Sequence, residues 1–189
     1  MEIAPHSSQQ PPSIRRAVDL ALDHFTREGF NCAESVLYGV MMAFGLPGGD
    51  AILRAATPFG GGIGRAGCVC GALSGAIMAL GLHCGRTSPD AGQRNRAYAR
   101  AERLWRRFVE RAGGEDCRDI NTLGFNHPDH KDFCARFVAM AAELAAEEIA
   151  RSKERGAEDH TAQSTRPAGS VTAPGPSATP EPAQPQDSG

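Results

Sequence analysis

Apolar residues recur along this chain at helical rather than strand spacing. Ile14, Val18, Leu22 and Phe25 form one stripe, which stops before Gly29. Asn31 follows as a good N-cap, with Glu34 three residues on to complete a capping box. Val36, Leu37, Val40, Met41 and Phe44 then face one way. The segment 50–56 reads as a short helix closed by Thr57-Pro58, and 71–82 is apolar all round, which places it inside a bundle. Ser88 and Pro89 suit the N-cap and first position of a long helix that ends at Gly113. In that helix Ala97, Ala101, Leu104, Trp105 and Phe108 make the apolar stripe, and basic residues fan around the solvent face. Residues 128–155 give the last helix, with Phe137, Val138, Ala141, Leu144 and Ile149 in its stripe. Neither an alternating strand pattern nor an internal repeat is visible. The expected fold class is all-α: a small single-domain helical bundle with a glycine-rich buried central helix.

Composition sets the limits of that domain. Residues 156–189 are rich in Pro, Ala and Ser and carry no aromatic residue. Such a segment buries too little apolar surface to offset its ordering entropy, so a disordered tail is expected there. Residues 1–13 read as a flexible polar arm, which leaves 14–155 as the folded unit. A net charge of −2 gives no case for a nucleic-acid partner. The N-terminus shows no apolar signal core, and Arg15-Arg16 runs straight into charged residues, so a cytoplasmic location is expected. In a reducing compartment six cysteines more often bind metal, catalyse or pack than form structural disulfides.

Chemistry concentrates in "GGGIGRAGCVCGALSGAIMALGLHCG", residues 60–85. Gly62, Gly64 and Gly67 spell the dinucleotide-binding pattern, but that motif requires a preceding buried strand, and "AATPFGG" supplies none. The charge-free stretch between Arg65 and Arg86 also invites a membrane reading. Its strongly apolar part is only about twelve residues, a length that suits a buried core helix, so no membrane span is expected.

The six cysteines are Cys32, Cys68, Cys70, Cys84, Cys117 and Cys134. Cys32 follows the cap Asn31, and Cys70 opens the glycine-rich helix. A thiol at a helix start faces unpaired N–H groups and the positive end of the dipole, which favours thiolate, and Arg65 stands nearby in sequence. Cys117 follows Glu115-Asp116, a pair suited to capping a short turn. Cys134 lies in phase with Phe137, Val138 and Ala141, where its sulfur points toward the core. The plain alternative for any one of them is a small buried apolar residue.

"FNCAESVL", "GGGIGRAGCVCGALSG", Cys117 and Cys134 together resemble the C-GCAxxG-C-C family of redox-active bacterial and archaeal proteins. Its hallmark is one early cysteine, a CGAxxG motif and two later cysteines. These match Cys32, Cys70-Gly71-Ala72-Leu73-Ser74-Gly75, Cys117 and Cys134. The resemblance implies a helical domain, genes near transporters or oxidoreductases, and an iron–sulfur or other prosthetic group. Cys68, Cys84 and the tail lie outside the pattern, and Cys68 could pair locally with Cys70.

The site expected from residues and resemblance comprises Cys32, Cys70, Cys117 and Cys134, as redox thiols or as metal ligands. Gly71 and Gly75 would let a helix backbone or a bound group come close. Four cysteinates suit an iron–sulfur cluster or zinc, although the spacings are unlike ferredoxin runs or zinc knuckles. They equally suit metal-free thiols cycling through disulfides. His83, His127 and His130 are extra candidate ligands, with His127 and His130 assigned to the start of the last helix and left out of the site. An oxidoreductase or electron-transfer role with an unidentified redox partner is one class of function. A non-catalytic metal-binding or transporter-accessory protein is the other, and a homo-oligomer is compatible with both.

Overall fold

Every regular element among residues 10–164, which the computed structural model describes, is helical. The remainder of the arm and of the expected tail lies outside the described residues. The helices are α1 (Pro12–Thr26), α2 (Cys32–Phe44), α3 (Asp50–Ala56), α4 (Gly71–Cys84), α5 (Ala91–Ala112), α6 (Cys117–Ile120) and α7 (His130–Ser164), with one 3₁₀ turn at Thr57–Phe59.

Local signals account for most of the boundaries. Pro12 opens α1, where its missing N–H costs nothing. Asn31 Oδ1 accepts from the N–H groups of Ala33 at 2.9 Å and Glu34 at 3.1 Å, and Glu34 Oε2 accepts from Asn31 N at 2.8 Å. This is the expected capping box in full. Beyond the box, Thr57 donates its hydroxyl to Glu34 Oε1 at 2.5 Å, and Asn31 Nδ2 donates to the Thr57 carbonyl at 3.0 Å. The start of α2 is thereby fastened to the 3₁₀ turn.

Helix α2 packs on α1, α3, α4 and α7, and α4 packs on α2, α5 and α7. Small residues set these distances. A Cβ on Gly75 would fall on the Ala33 carbonyl oxygen of α2, and one on Gly39 would lie 2.5 Å from the Ala17 carbonyl oxygen of α1. Leu37, Leu80, Leu104, Phe108, Leu144 and Ile149 fill the resulting core and are fully buried. Each contributes about 1.5–3 kcal/mol of transfer free energy.

Several details differ from expectation. Asp90, not Ser88, caps α5: its Oδ1 accepts from Gln93 N at 2.8 Å, and Pro89 sits outside the helix. Helix α4 buries one face, while Gly81 is exposed and Ile77 and Met78 are partly covered, so it is not buried all round. Trp105 is 39% exposed, because α5 meets α4 and α7 through the narrower line of Leu104 and Phe108. Finally, α7 continues past residue 155 to Ser164. The basic face of α5 is also more than a solvated surface. Arg103, Arg107 and Arg111 reach Glu148, Glu147 and Glu143 of α7 at 3.1, 2.5 and 2.8 Å. No described helix is long and apolar enough to cross a membrane.

Candidate functional site

The chain from Gly60 to Gly67 does not form a helix or strand. Residues 61 to 65 all have positive φ, including the non-glycine residues Ile63 (58°) and Arg65 (68°). A β-branched residue rarely adopts this conformation, and such strain persists only where surrounding structure holds it. Ala66 N and Cys68 N donate back to the Ile63 and Gly62 carbonyls at 3.0 and 3.1 Å, which closes the turn on itself. Gly62 could hardly be anything else. Besides its φ of 70°, an added Cβ would lie 2.7 Å from Cys117 Cβ and 2.8 Å from Cys68 N. The glycines that mimic a dinucleotide fingerprint therefore build a tight turn against a cysteine.

Immediately after this turn the chain runs extended and pairs with the segment before α6. Val69 and Asp116 form an isolated antiparallel bridge. Cys70 N donates to the Glu115 carbonyl at 2.8 Å, Cys117 N to the Cys68 carbonyl at 2.7 Å, and Arg118 N to the Gly67 carbonyl at 3.0 Å. Two cysteines far apart in sequence are thus set side by side by backbone bonds alone. Glu115 is engaged at both ends, since its Oε2 also accepts from Trp105 Nε1 at 2.6 Å. Asp116 occupies the cap position of α6 without a side-chain cap bond.

Cys32, Cys70, Cys117 and Cys134 all line one cavity of about 540 Å³. Cys70 and Cys117 are buried, and Cys32 and Cys134 are half-buried. Phe25, Phe30, Phe125 and Phe137 supply aromatic wall, and Arg65, His130 and Lys131 are also in the lining. Cys32 Sγ lies against Gly71, where a Cβ would come within 2.5 Å of the sulfur. Gly71 and Gly75 do act in close approach, toward Cys32 and the α2 backbone respectively, and neither lines the cavity.

The expected acidity of the helix-start thiols is overturned in sign. Burial raises the Cys32 thiol above its usual range, although the N–H groups of Gly61, Cys32, Ala33 and Ala72 pull the other way. Cys70 is pushed up to about 12, by burial first and then by the neighbouring Cys32. Cys117 rises to about 11 and Cys134 to about 12, again through burial followed by Cys32. The helix-start N–H groups are present, but depth below the surface outweighs them. A charge on Cys32 would raise each of the other three thiols.

The remaining candidates separate cleanly. Cys68 stays outside the cavity with its sulfur 3.7 Å from Arg118 Nη2, and Cys84 donates to the Leu80 carbonyl within α4 at 3.2 Å. His83 sits at the far end of α4, 2.5 Å from Ser152 Oγ, and His127 stands beside Asp129. His130, left out of the expected site, belongs to it: its Nδ1 lies 3.7 Å from Cys134 Sγ. Burial, followed by the charge of Arg65, lowers its pKa, so at neutral pH it is a proton acceptor beside a thiol. The i, i+4 spacing of His130 and Cys134 was the available signal, because it puts both on one helix face. Four thiols have the right donor chemistry for soft metals. Among the described residues, however, no group of three or more His, Cys, Asp or Glu side chains is gathered as a metal site.

A family model described as "Putative redox-active protein (C_GCAxxG_C_C)" matches residues 30–148, a span that contains all four cavity cysteines. The chain belongs to the C_GCAxxG_C_C family. An uncharacterized protein of Archaeoglobus fulgidus is 29% identical to it over 141 residues, covering 69% of this chain and 88% of that relative. No solved structure matches. The four cysteines that the sequence aligns with this pattern, Cys32, Cys70, Cys117 and Cys134, line the cavity, while Cys68 and Cys84 do not.

Proposed function

We propose that this C_GCAxxG_C_C protein is a thiol–disulfide redox protein in which Cys32 is the common partner. The observation that carries this reading is that Cys32, Cys70, Cys117 and Cys134 line one cavity, with the Cys32 sulfur packed against Gly71, the residue next to Cys70. Cys32 is the thiol to attack first, because backbone N–H groups from two helix starts and the glycine turn face its sulfur. In the forward direction its thiolate attacks a substrate disulfide, forming a Cys32–S–S–R bond and releasing one thiol. Cys70 then attacks Cys32, closing a Cys32–Cys70 disulfide and releasing the second thiol. Two protein thiols lose two electrons, the substrate disulfide gains them, and the two protons pass to the leaving thiols. His130 takes up or returns a proton at Cys134 when that thiol exchanges with Cys32.

Because the thiols are neutral at pH 7, the site reacts slowly unless a bound substrate or rising pH favours thiolate. Among the described residues no three donors are gathered as a metal site, and no step here is routed through a metal or cluster.

The test is disulfide mapping by mass spectrometry of reduced protein treated with one equivalent of a small disulfide. A Cys32-containing disulfide is expected, with Cys68 and Cys84 still reduced. Oxidation confined to Cys68 or Cys84, or none at all, would overturn the proposal. Anaerobically purified protein holding iron or zinc at one site per chain through these cysteines would replace it with a metal-holding role.

A further inference from the structure

Resting on the redox reading, we propose that the cavity selects a small, net-negative disulfide that carries carboxylate or phosphate groups and an amide N–H. Three observations carry this. First, the cavity lining contains Arg65 and Lys131 and not one Asp or Glu. Neither cation makes an ion pair with a described residue. The Arg65 guanidinium stands 5.8 Å from the Phe125 ring centre and the Lys131 ammonium 5.4 Å from that of Phe25. A cation held over an aromatic face at a cavity edge remains available to a ligand anion.

Second, Arg65 keeps its place in a left-handed conformation that is strained for a non-glycine residue. It is exposed, whereas Cys70 and Cys117 lie deep. Charge at the rim and sulfur inside match a molecule whose ends are anionic and whose disulfide is flanked by methylenes. The phenylalanine wall suits those methylenes, and the volume falls in the range of small-molecule sites.

Third, Asn121 lines the same cavity at 7% exposure, and its Oδ1 is buried without a hydrogen-bond partner among the described residues. A buried acceptor left unpaired is costly, and an amide N–H of the ligand would satisfy it. The reaction is the exchange already written: the ligand's S–S bond breaks, one protein disulfide forms, and two ligand thiols leave with the two protons.

The experiment measures second-order rate constants for oxidation of the reduced full chain by glutathione disulfide, hydroxyethyl disulfide and cystamine, which are net-negative, neutral and net-positive. The ratio of the glutathione rate to the hydroxyethyl rate should exceed that of cystamine and fall as salt is added. In the R65Q/K131Q double variant the glutathione-to-hydroxyethyl ratio should drop about tenfold, and R65K/K131R should restore it. Asn121→Leu should lower the same ratio about threefold or more, as expected for one lost hydrogen bond. A ratio indifferent to salt and to both charge variants would overturn the selection of anions, and an unchanged ratio in Asn121→Leu would remove the amide. In either case oxidation of Cys32 by the neutral disulfide would leave the redox reading standing. Failure of all three disulfides to oxidise Cys32 would instead bring down both.

Discussion

Helix α4 has a cysteine at each end, and the two ends are different chemical places. At its start Cys70 is buried beside Cys32 and Cys117, faces the N–H groups of Ala72 and Leu73, and lines the cavity. At its end Cys84 spends its hydrogen on the Leu80 carbonyl, between the opposing charges of Arg100 and Glu148. Glycines differ in the same way. Gly75, one turn into the helix, touches the α2 backbone, whereas a Cβ added at Gly81 would meet nothing within 4 Å. One helix thus combines a densely built end with a permissive one. A residue's type therefore says less about its role than the end of the helix on which it stands.

The largest expected effect that sharpens this contrast is on pH dependence. With Cys70 near 12 and Cys117 near 11, their thiolate fractions, and so their alkylation rates, should rise about tenfold per pH unit from pH 7 to beyond pH 10. Stability moves oppositely. The folded state holds these protons above the pH at which unfolded thiols release them, so stability is full below the usual thiol range. It is lost as pH climbs toward 11–12. Urea titrations should show that loss in the reduced protein and a smaller one once a Cys32–Cys70 disulfide has formed.

Next in size, Cys32→Ser should slow disulfide exchange at least about a hundredfold in stopped-flow assays, since it removes the attacking sulfur. Cys84→Ser should stay within about twofold of the parent. Equal effects of the two substitutions would erase the distinction between the ends.

Gly75→Ala should cost about 1–3 kcal/mol in urea unfolding, because its methyl group would fall on the Ala33 carbonyl oxygen and force α4 away from α2. The smallest effect is the reverse in sign. Gly81→Ala should gain about 0.5–1 kcal/mol, as a helical position with open space around it. A destabilising Gly81→Ala would mean that the far end is packed more tightly than its surroundings indicate.

What could be read from the sequence is local. The Asn31–Glu34 box follows from side chains that bond their own neighbours, and the end of α3 at Thr57-Pro58 from the backbone limits of proline. The four cysteines that line the cavity could be named in advance, because order and motif single them out. Their ionisation could not, because depth is a tertiary property: the same N–H groups that favour thiolate are outweighed by the desolvation of the sulfurs they face. The strained turn at Ile63 and Arg65 was equally hidden, since it is held by bonds to Pro58, Phe59 and Gly60 and by the packing of Cys117. Trp105 had the spacing of a core residue and turned out half-exposed, its indole committed to Glu115.

That commitment gives the molecule an optical gauge. Trp105 is the chain's single tryptophan, and the residue it bonds, Glu115, holds the Cys70 amide through its carbonyl. If Cys70 exchanges sulfur–sulfur bonds as proposed, its movement would pull on that carbonyl and tilt the carboxylate under the indole. The emission of one ring at the surface would then report on that exchange in the interior, with no label attached.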